Sequence, residues 1–245
     1  MKAYCDDLAY IHDVGFSRFA KDAAPGILRL LRKAGITKGV VVDLGCGSGN
    51  WALRLSDAGF KVLGVDLSPA MIQMARNRVP SGKFQVGSYF KANLPPCHAV
   101  TALGEPFNYR FDQKNNLPEL SRLFRRVYAA LRPGGLFIFD IAEPGRGDVP
   151  RVRYWEGADW AILVEVKEDV RTQRLTRQLT TFRQVGGLFR CDHETHRLQL
   201  YERSKIKREL LHAGFRVCIL NRYGKLPFPK SCVGFLASKP SEGDD

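Results

Sequence analysis

Residues 41–49 read Val41-Val42-Asp43-Leu44-Gly45-Cys46-Gly47-Ser48-Gly49, an apolar run that meets a carboxylate and then three glycines on alternate positions. The chain must turn sharply there and let a ligand reach bare backbone, and only a residue without Cβ does both cheaply. A helix-like segment opens at Asn50. A second run, Lys61 to Val65, closes on Asp66, a carboxylate placed to accept both hydroxyls of a ribose. Together the two features read as a nucleotide-like ligand site. Glycine spacing narrows the choice: G-x-G-x-x-G begun at Gly45 needs glycine at position 50, which holds Asn50, so NAD fits poorly.

Outward from this stretch the pattern alternates strand and helix, as a parallel sheet with crossover helices requires. The first strand is expected over 39–44, the second over 61–66, a short third over 83–87, a fourth over 98–103 and a fifth over 136–141. Ser68 and Pro69 announce the helix after the second strand. A long helix over 117–131 presents Leu120, Leu123, Phe124, Val127 and Leu131 inward, and Arg132-Pro133-Gly134-Gly135 ends it. Before the sheet, two helices carry Ile11, Phe16 and Phe19, then Ile27 to Ala34 after Pro25-Gly26. From about 151 to 200 the periodicity becomes two, with Trp160, Ile162, Val164 and Val166 on one face, and Gly186-Gly187 marks a hairpin turn. Two or three antiparallel strands are therefore expected there. A last helix, capped by Ser204 and ended by Gly214, leads into a hairpin of 215–223 and 232–238. The expected organisation is a helical cap over 1–38, a core over 39–150, an insertion over 151–200, the final helix and hairpin over 201–239 and a disordered tail over 240–245. The fold class is α/β, a doubly wound, seven-stranded, mostly parallel sheet with an antiparallel β insertion after strand five.

The string D-x-G-x-G-x-G from Asp43 to Gly49, with an acid closing the next strand, resembles the class I methyltransferases that use S-adenosylmethionine. Val62-Leu63-Gly64-Val65-Asp66-Leu67-Ser68-Pro69 is similar to that family's second motif, and Ala130 to Leu136 to its turn before the fifth strand. The stretch Thr101 to Tyr109 resembles the loop after strand four in bacterial small-molecule members. It does not match N/D-P-P-Y/F, and Asn93-Leu94-Pro95-Pro96 precedes strand four. The resemblance implies a Rossmann-like methyltransferase fold, S-adenosylmethionine as cofactor with S-adenosylhomocysteine as product, and transfer to nitrogen or oxygen of a small acceptor by in-line displacement. It also implies cofactor contacts at Asp43, Gly45, Cys46, Gly47, Asp66, Leu67, Met71, Ser88, Tyr89 and Leu103. Many members place an acid where this chain has Ser88 and Tyr89; a hydroxyl and a ring stand in for it. In such enzymes an insertion at this point often roofs the acceptor pocket.

An activated donor leaves the protein mainly to align the acceptor, and a general base is optional. Three residues are candidates for catalysis. Glu105 follows strand four, where ligands border the carboxyl ends of strands, and either serves the acceptor or pairs with a cap residue such as Arg18. His12 lies in the cap, and His196 shares a strand face with Glu194. His98 and His212 read as structural. Tyr4, Tyr10, Phe107, Tyr109 and Trp160 are candidate lining residues. His193-Glu194-Thr195-His196 is not H-E-x-x-H and sits on a strand, so no metal is expected.

Bulk properties bound the alternatives. A chain of 245 residues with 44% apolar content fits one elaborated α/β domain. Six cysteines without a C-x-x-C pair suggest neither a disulfide framework nor zinc, and no run matches a signal or membrane span, so a soluble cytoplasmic monomer or homodimer with no membrane partner is expected. The net charge of +13 raises nucleic acid as a partner. Residues 1–145 hold 19 Lys/Arg against 12 acids and 146–245 hold 19 against 13, so the excess of +7 and +6 is spread rather than gathered. An RNA or protein methyltransferase, and a non-catalytic S-adenosylmethionine-binding protein, stay open as alternatives.

Overall fold

Val41 and Val42 point to opposite faces of the strand that carries them, and each is buried in a different apolar core. A strand covered on both sides reads as a continuous apolar run, which is why 41–44 is legible as the centre of a parallel sheet. The computed structural model describes residues 4–112, 115–148 and 152–241. In chain order its elements are α1 (Asp6–Phe16), α2 (Arg18–Lys33), β1 (Gly39–Leu44), α3 (Asn50–Asp57), β2 (Phe60–Asp66), α4 (Pro69–Arg78), β3 (Lys83–Val86), β4 (Cys97–Ala102), α5 (Leu117–Ala130) and β5 (Leu131–Ala142). Then follow β6 (Val152–Glu156), β7 (Trp160–Asp169), β8 (Arg174–Val185), β9 (Leu188–Gln199), α6 (Arg203–His212), β10 (Arg216–Leu220), β11 (Arg222–Tyr223), β12 (Leu226–Pro227) and β13 (Cys232–Ser238).

Seven strands form the main sheet in the order β10-β13-β5-β4-β1-β2-β3. The pairs from β5 across to β3 are parallel, and β13 runs antiparallel between β5 and β10. The expected seven-stranded, mostly parallel Rossmann-like sheet is therefore the observed one. Helix α5 buries Leu120, Leu123, Phe124 and Val127 on one face of it, while α2 and α3 bury Ile27, Leu31, Trp51 and Leu55 on the other. Ser68 caps α4 by accepting the Met71 N–H at 3.2 Å, with Pro69 next.

The insertion is a separate four-stranded sheet, β6-β7-β8-β9. The sequence suggests only two or three strands, because β6 lies at the edge and is mostly exposed, so it lacks the apolar alternation that announces a buried strand. Its inner face packs Ile162, Val164, Val166, Leu175, Leu179 and Leu198 against Leu8 and Ile11 of α1. The hairpin turn at Gly186-Gly187 stands where expected.

Three boundaries differ from the sequence reading. Helix α2 begins at Arg18 and contains Pro25, because burial of Ala23, Ala24, Ile27 and Leu31 along one face carries the helix through the missing donor. Strand β5 begins at Leu131, paired with Cys97 before a register shift, so 132–135 are an excursion of the strand rather than the end of the helix. Helix α6 starts at Arg203 after Glu202, with Ser204 already inside it. The expected tail, 240–245, falls from 242 onward outside the described residues, as does the expected boundary at 150–151. Among the described residues no helix is long and apolar enough to cross a membrane.

Candidate active site

The glycine loop sits over the end of β2. Gly45 and Cys46 donate their N–H groups to the Val65 carbonyl at 2.8 and 3.1 Å, and Gly47 donates to Asp66 Oδ2 at 2.9 Å. Gly47 has φ +52°, and a Cβ built there would meet nothing within 4 Å, so bare backbone faces open space. Gly49 has φ +79°, and its Cβ would stand 3.0 Å from Ala75 on α4. Asp66 also accepts the Ser68 N–H at 2.9 Å, which leaves a lone pair on each oxygen for a ligand. Burial pushes its carboxyl up, against the pull of those backbone donors. Asp43 lies one strand over, holding the Thr101 hydroxyl at 2.8 Å, and Thr101 in turn accepts the Trp51 indole N–H at 3.0 Å. Burial pushes Asp43 up to about 7.

Asp13 of α1 clasps the far end of the loop. It accepts Ser48 Oγ at 2.6 Å, Asn50 Nδ2 at 2.8 Å and Arg78 Nη2 at 2.8 Å, while Arg78 also reaches the Ser48 carbonyl.

A cavity of about 490 Å³ opens above this loop. Asp43, Gly45, Cys46, Gly47, Asp66, Leu67, Met71, Tyr89 and Leu103, all among the expected cofactor contacts, line one part of it. Ser88 does not: its hydroxyl accepts the Phe90 N–H at 3.1 Å, and that local turn keeps it off the wall. The Tyr89 hydroxyl donates to the Pro106 carbonyl at 3.0 Å and its ring stands edge-on to Phe107, so it packs the wall. The inner face of the insertion lines the remainder, with Ile162, Val164, Val166, Leu175, Leu179, Arg177 and His196.

All three candidate catalytic residues border this cavity. Glu105 adopts φ +64°, held because the N–H groups of Gly104 and Glu105 both donate to Asp140, which also accepts the Tyr223 hydroxyl at 3.1 Å. Its side chain accepts Arg177 Nη2 at 2.9 Å, Arg146 Nε at 3.1 Å and the Cys232 thiol at 3.1 Å. Burial opposes its charge, yet Arg177 and Arg146 overcome this and hold the carboxyl down at about 2. Arg18, the partner offered by the sequence, instead pairs with Asp22 on the surface. At such an acidity Glu105 orients charge and is a poor proton acceptor.

His196 is 1% exposed and its Nε2 meets Glu194 Oε2 at 3.0 Å. Strand alternation sets this pair inward, and leaves His193 exposed beside Thr180. His12 stands against the Tyr4 ring, 5.2 Å between centroids. Burial lowers both imidazoles, His12 to about 4, so each is neutral near pH 7. Tyr4 and Tyr109 reach the wall, whereas Tyr10 bonds Asp159, Phe107 is core, and Trp160 packs near Phe16 away from it. His98 takes the Val40 N–H on its Nδ1 at 3.2 Å, a structural contact as expected.

Arg177, Arg146 and Asp140 escape the sequence reading. Arg177 carries a signal, since Leu175 and Leu179 alternate with it and period two turns all three inward. Arg146 carries none, lying in an irregular turn after β5.

Residues 41–135 match a family described as a methyltransferase domain. A protein of Geobacillus sp. (strain WCH70) that bears the name "Putative methyltransferase" is 27% identical over 72% of this chain and 74% of its own. A trans-aconitate 2-methyltransferase of Variovorax paradoxus (strain S110) is 32% identical over 54% of this chain, which spans half of that relative's length. The crystal structure of an S-adenosylmethionine-dependent methyltransferase from Clostridium acetobutylicum ATCC 824 has the same fold, with a TM-score of 0.81 at 19% identity over 95% of this chain and 98% of that one. Backbone open to the cavity at Gly47, beside a half-buried diacceptor at Asp66, suits the ribose of a sulfonium nucleoside. Residues 41–135 thus match a methyltransferase domain, and with that loop and that strand order the chain is similar to S-adenosylmethionine-dependent methyltransferases.

Proposed function

We propose that this enzyme moves a methyl group to a nitrogen or oxygen of a small molecule enclosed beneath the insertion sheet, by in-line displacement. The observation that carries the reading is that one cavity joins the glycine loop and Asp66 to the inner face of β7, β8 and β9. The cofactor supplies a methyl group activated on a sulfonium, so the chain's own work is alignment and exclusion of water. Gly45, Cys46 and Gly47 carry the methionine portion and ribose on backbone, Asp66 takes the ribose hydroxyls, and Leu67 and Met71 lie beside the adenine. Asp43 braces the loop through Thr101. Leu103 borders the transfer point at the end of β4. Where the acceptor must lose a proton, His196 is the group placed to take it; His12, held down at about 4, is a weak acceptor, and Glu105 fixes the charge of the wall.

The roof favours an acceptor small enough to be enclosed over RNA or a folded protein, and a relative that by its name acts on trans-aconitate agrees with a small acceptor. The test is turnover against a library of small hydroxyl and amino compounds, read by coupled detection of homocysteine. Product with small acceptors is expected. Methylation confined to RNA or protein, or none with any substrate, overturns the reading.

A further inference from the structure

The acceptor side of the cavity holds more fixed cations than anions. Arg177 leaves β8 on the inward face, directly opposite Val166 on β7 and His196 on β9, and its inward neighbours along the strand are Leu175 and Leu179. Burying a guanidinium among aliphatic side chains is costly unless it is paired or used. Its Nη2 donates to Glu105 and its Nη1 to the Tyr109 hydroxyl at 2.8 Å, which engages two of five N–H groups. Arg146 donates through Nε to the other Glu105 oxygen, and Arg153 borders the same cavity with its guanidinium 4.8 Å from the Trp155 ring.

Among the described residues that line this part of the cavity, these three guanidinium groups meet one carboxylate held ionised, Glu105. Two further acids lie nearby and both are already engaged: Glu194 holds His196 and the Tyr4 and Cys5 amides, and Asp140 is turned under the loop, its oxygens taken by two backbone N–H groups and the Tyr223 hydroxyl. Asp43 and Asp66 belong to the glycine-loop end. Glu105 therefore neutralises one charge and sets two guanidinium forks side by side, and such forks take an oxyanion by parallel N–H···O bonds. The aliphatic row of Val164, Val166, Leu175 and Leu179 beside them suits a hydrocarbon body.

Resting on the reading of a small-molecule acceptor, we propose that the acceptor is an amphipathic anion whose carboxylate or phosphate binds Arg177 and Arg146 while its apolar body lies on the inner face of the insertion sheet. The reacting nitrogen or oxygen is then held toward Leu103.

The experiment is calorimetric titration of the protein loaded with S-adenosylhomocysteine, using hexanoate, hexyl phosphate, hexanamide and hexylamine as probes. One of the two anions is expected to bind about ten-fold or more tightly than the amide, the scale of a charge-assisted hydrogen bond, and the amine weakest. The better anion names the oxyanion. Arg146→Gln, and separately Arg177→Lys, should each shrink the anion-to-amide ratio at least three-fold, with titration of S-adenosylhomocysteine into each variant as the folding control. Equal binding of amide and anions, preference for the amine, no binding of either anion at millimolar concentration, or a ratio untouched in the folded Arg146→Gln variant overturns the proposal. If S-adenosylhomocysteine itself fails to bind the wild-type protein, the cofactor reading falls; if it binds and neutral or cationic acceptors are methylated, the anionic acceptor alone falls.

Discussion

Glu194, on β9, accepts the backbone N–H of Cys5 at 2.7 Å, and this bond closes the insertion sheet onto the start of α1. The same carboxylate accepts the Tyr4 N–H at 3.2 Å and holds His196, while the Tyr4 carbonyl takes the Ser68 hydroxyl at 2.9 Å. The segment thus bridges the edge of the Asp66 site and the roof. Glu194→Ala strips two amides and an imidazole of their partner, an expected loss of about 1–3 kcal/mol. Hydrogen exchange at residues 4–8 should quicken selectively, and unchanged protection there would count against the bridge.

Asp66 is the carboxylate on which the cofactor assignment turns. Asp66→Ala removes the acceptor of the Gly47 and Ser68 amides and, on the proposed reading, of the ribose hydroxyls, so affinity for S-adenosylhomocysteine should drop at least ten-fold, in line with about 1.5–3 kcal/mol for bonds to a charged group. Calorimetry on the variant reads this directly. An affinity within a factor of two of wild type would place the ribose elsewhere.

Glu105 stays ionised throughout the physiological range, because its carboxyl is held down at about 2 between Arg177 and Arg146. Glu105→Gln should therefore lower kcat/KM by a factor that is constant from pH 5 to 8. A carboxylate acting as the base with an ordinary acidity would instead give an acid limb that the variant abolishes. The pH–rate profiles of both proteins decide between them.

His12 should leave a mark on stability rather than on charge at neutral pH. Burial lowers its imidazole from 6.5 to about 4, so between those values the unfolded chain binds the proton and the folded one does not. Its contribution is present above pH 6.5 and is lost as the pH falls toward 4. Denaturant titrations of wild type and His12→Gln should show a difference that changes over this interval and is flat above it.

Gly26 brings α2 onto the β11 turn, where an added Cβ would lie 2.4 Å from the Gly224 nitrogen and 2.5 Å from the Tyr223 carbonyl carbon. Backbone atoms cannot swing aside as a side-chain tip can. Gly26→Ala should cost about 1–3 kcal/mol despite the better helix propensity of alanine, measured as a fall in the urea midpoint.

Local chemistry made much of this molecule readable in advance. The apolar run into Asp43, the glycines, the acid closing β2 and the Ser68-Pro69 cap are each decided within a few residues, and each stands where the pattern puts it. What the sequence withholds depends on distant partners. Nothing around Glu105 announces that its cations come from positions 146 and 177 rather than 18. Ser88 looks like a ligand contact until its own turn claims it, and β6 hides because an edge strand need not alternate. Arg177 was the recoverable case, since the leucines on either side already fix its direction.

The clasp at Asp13 joins two halves that the chain keeps far apart. Through Ser48, Asn50 and Arg78 it fastens α1 to the glycine loop, and the same helix carries Leu8 and His12 on the opposite wall. Whatever shifts the loop must drag that helix along, so donor berth and acceptor chamber behave as one piece of masonry with a shared keystone.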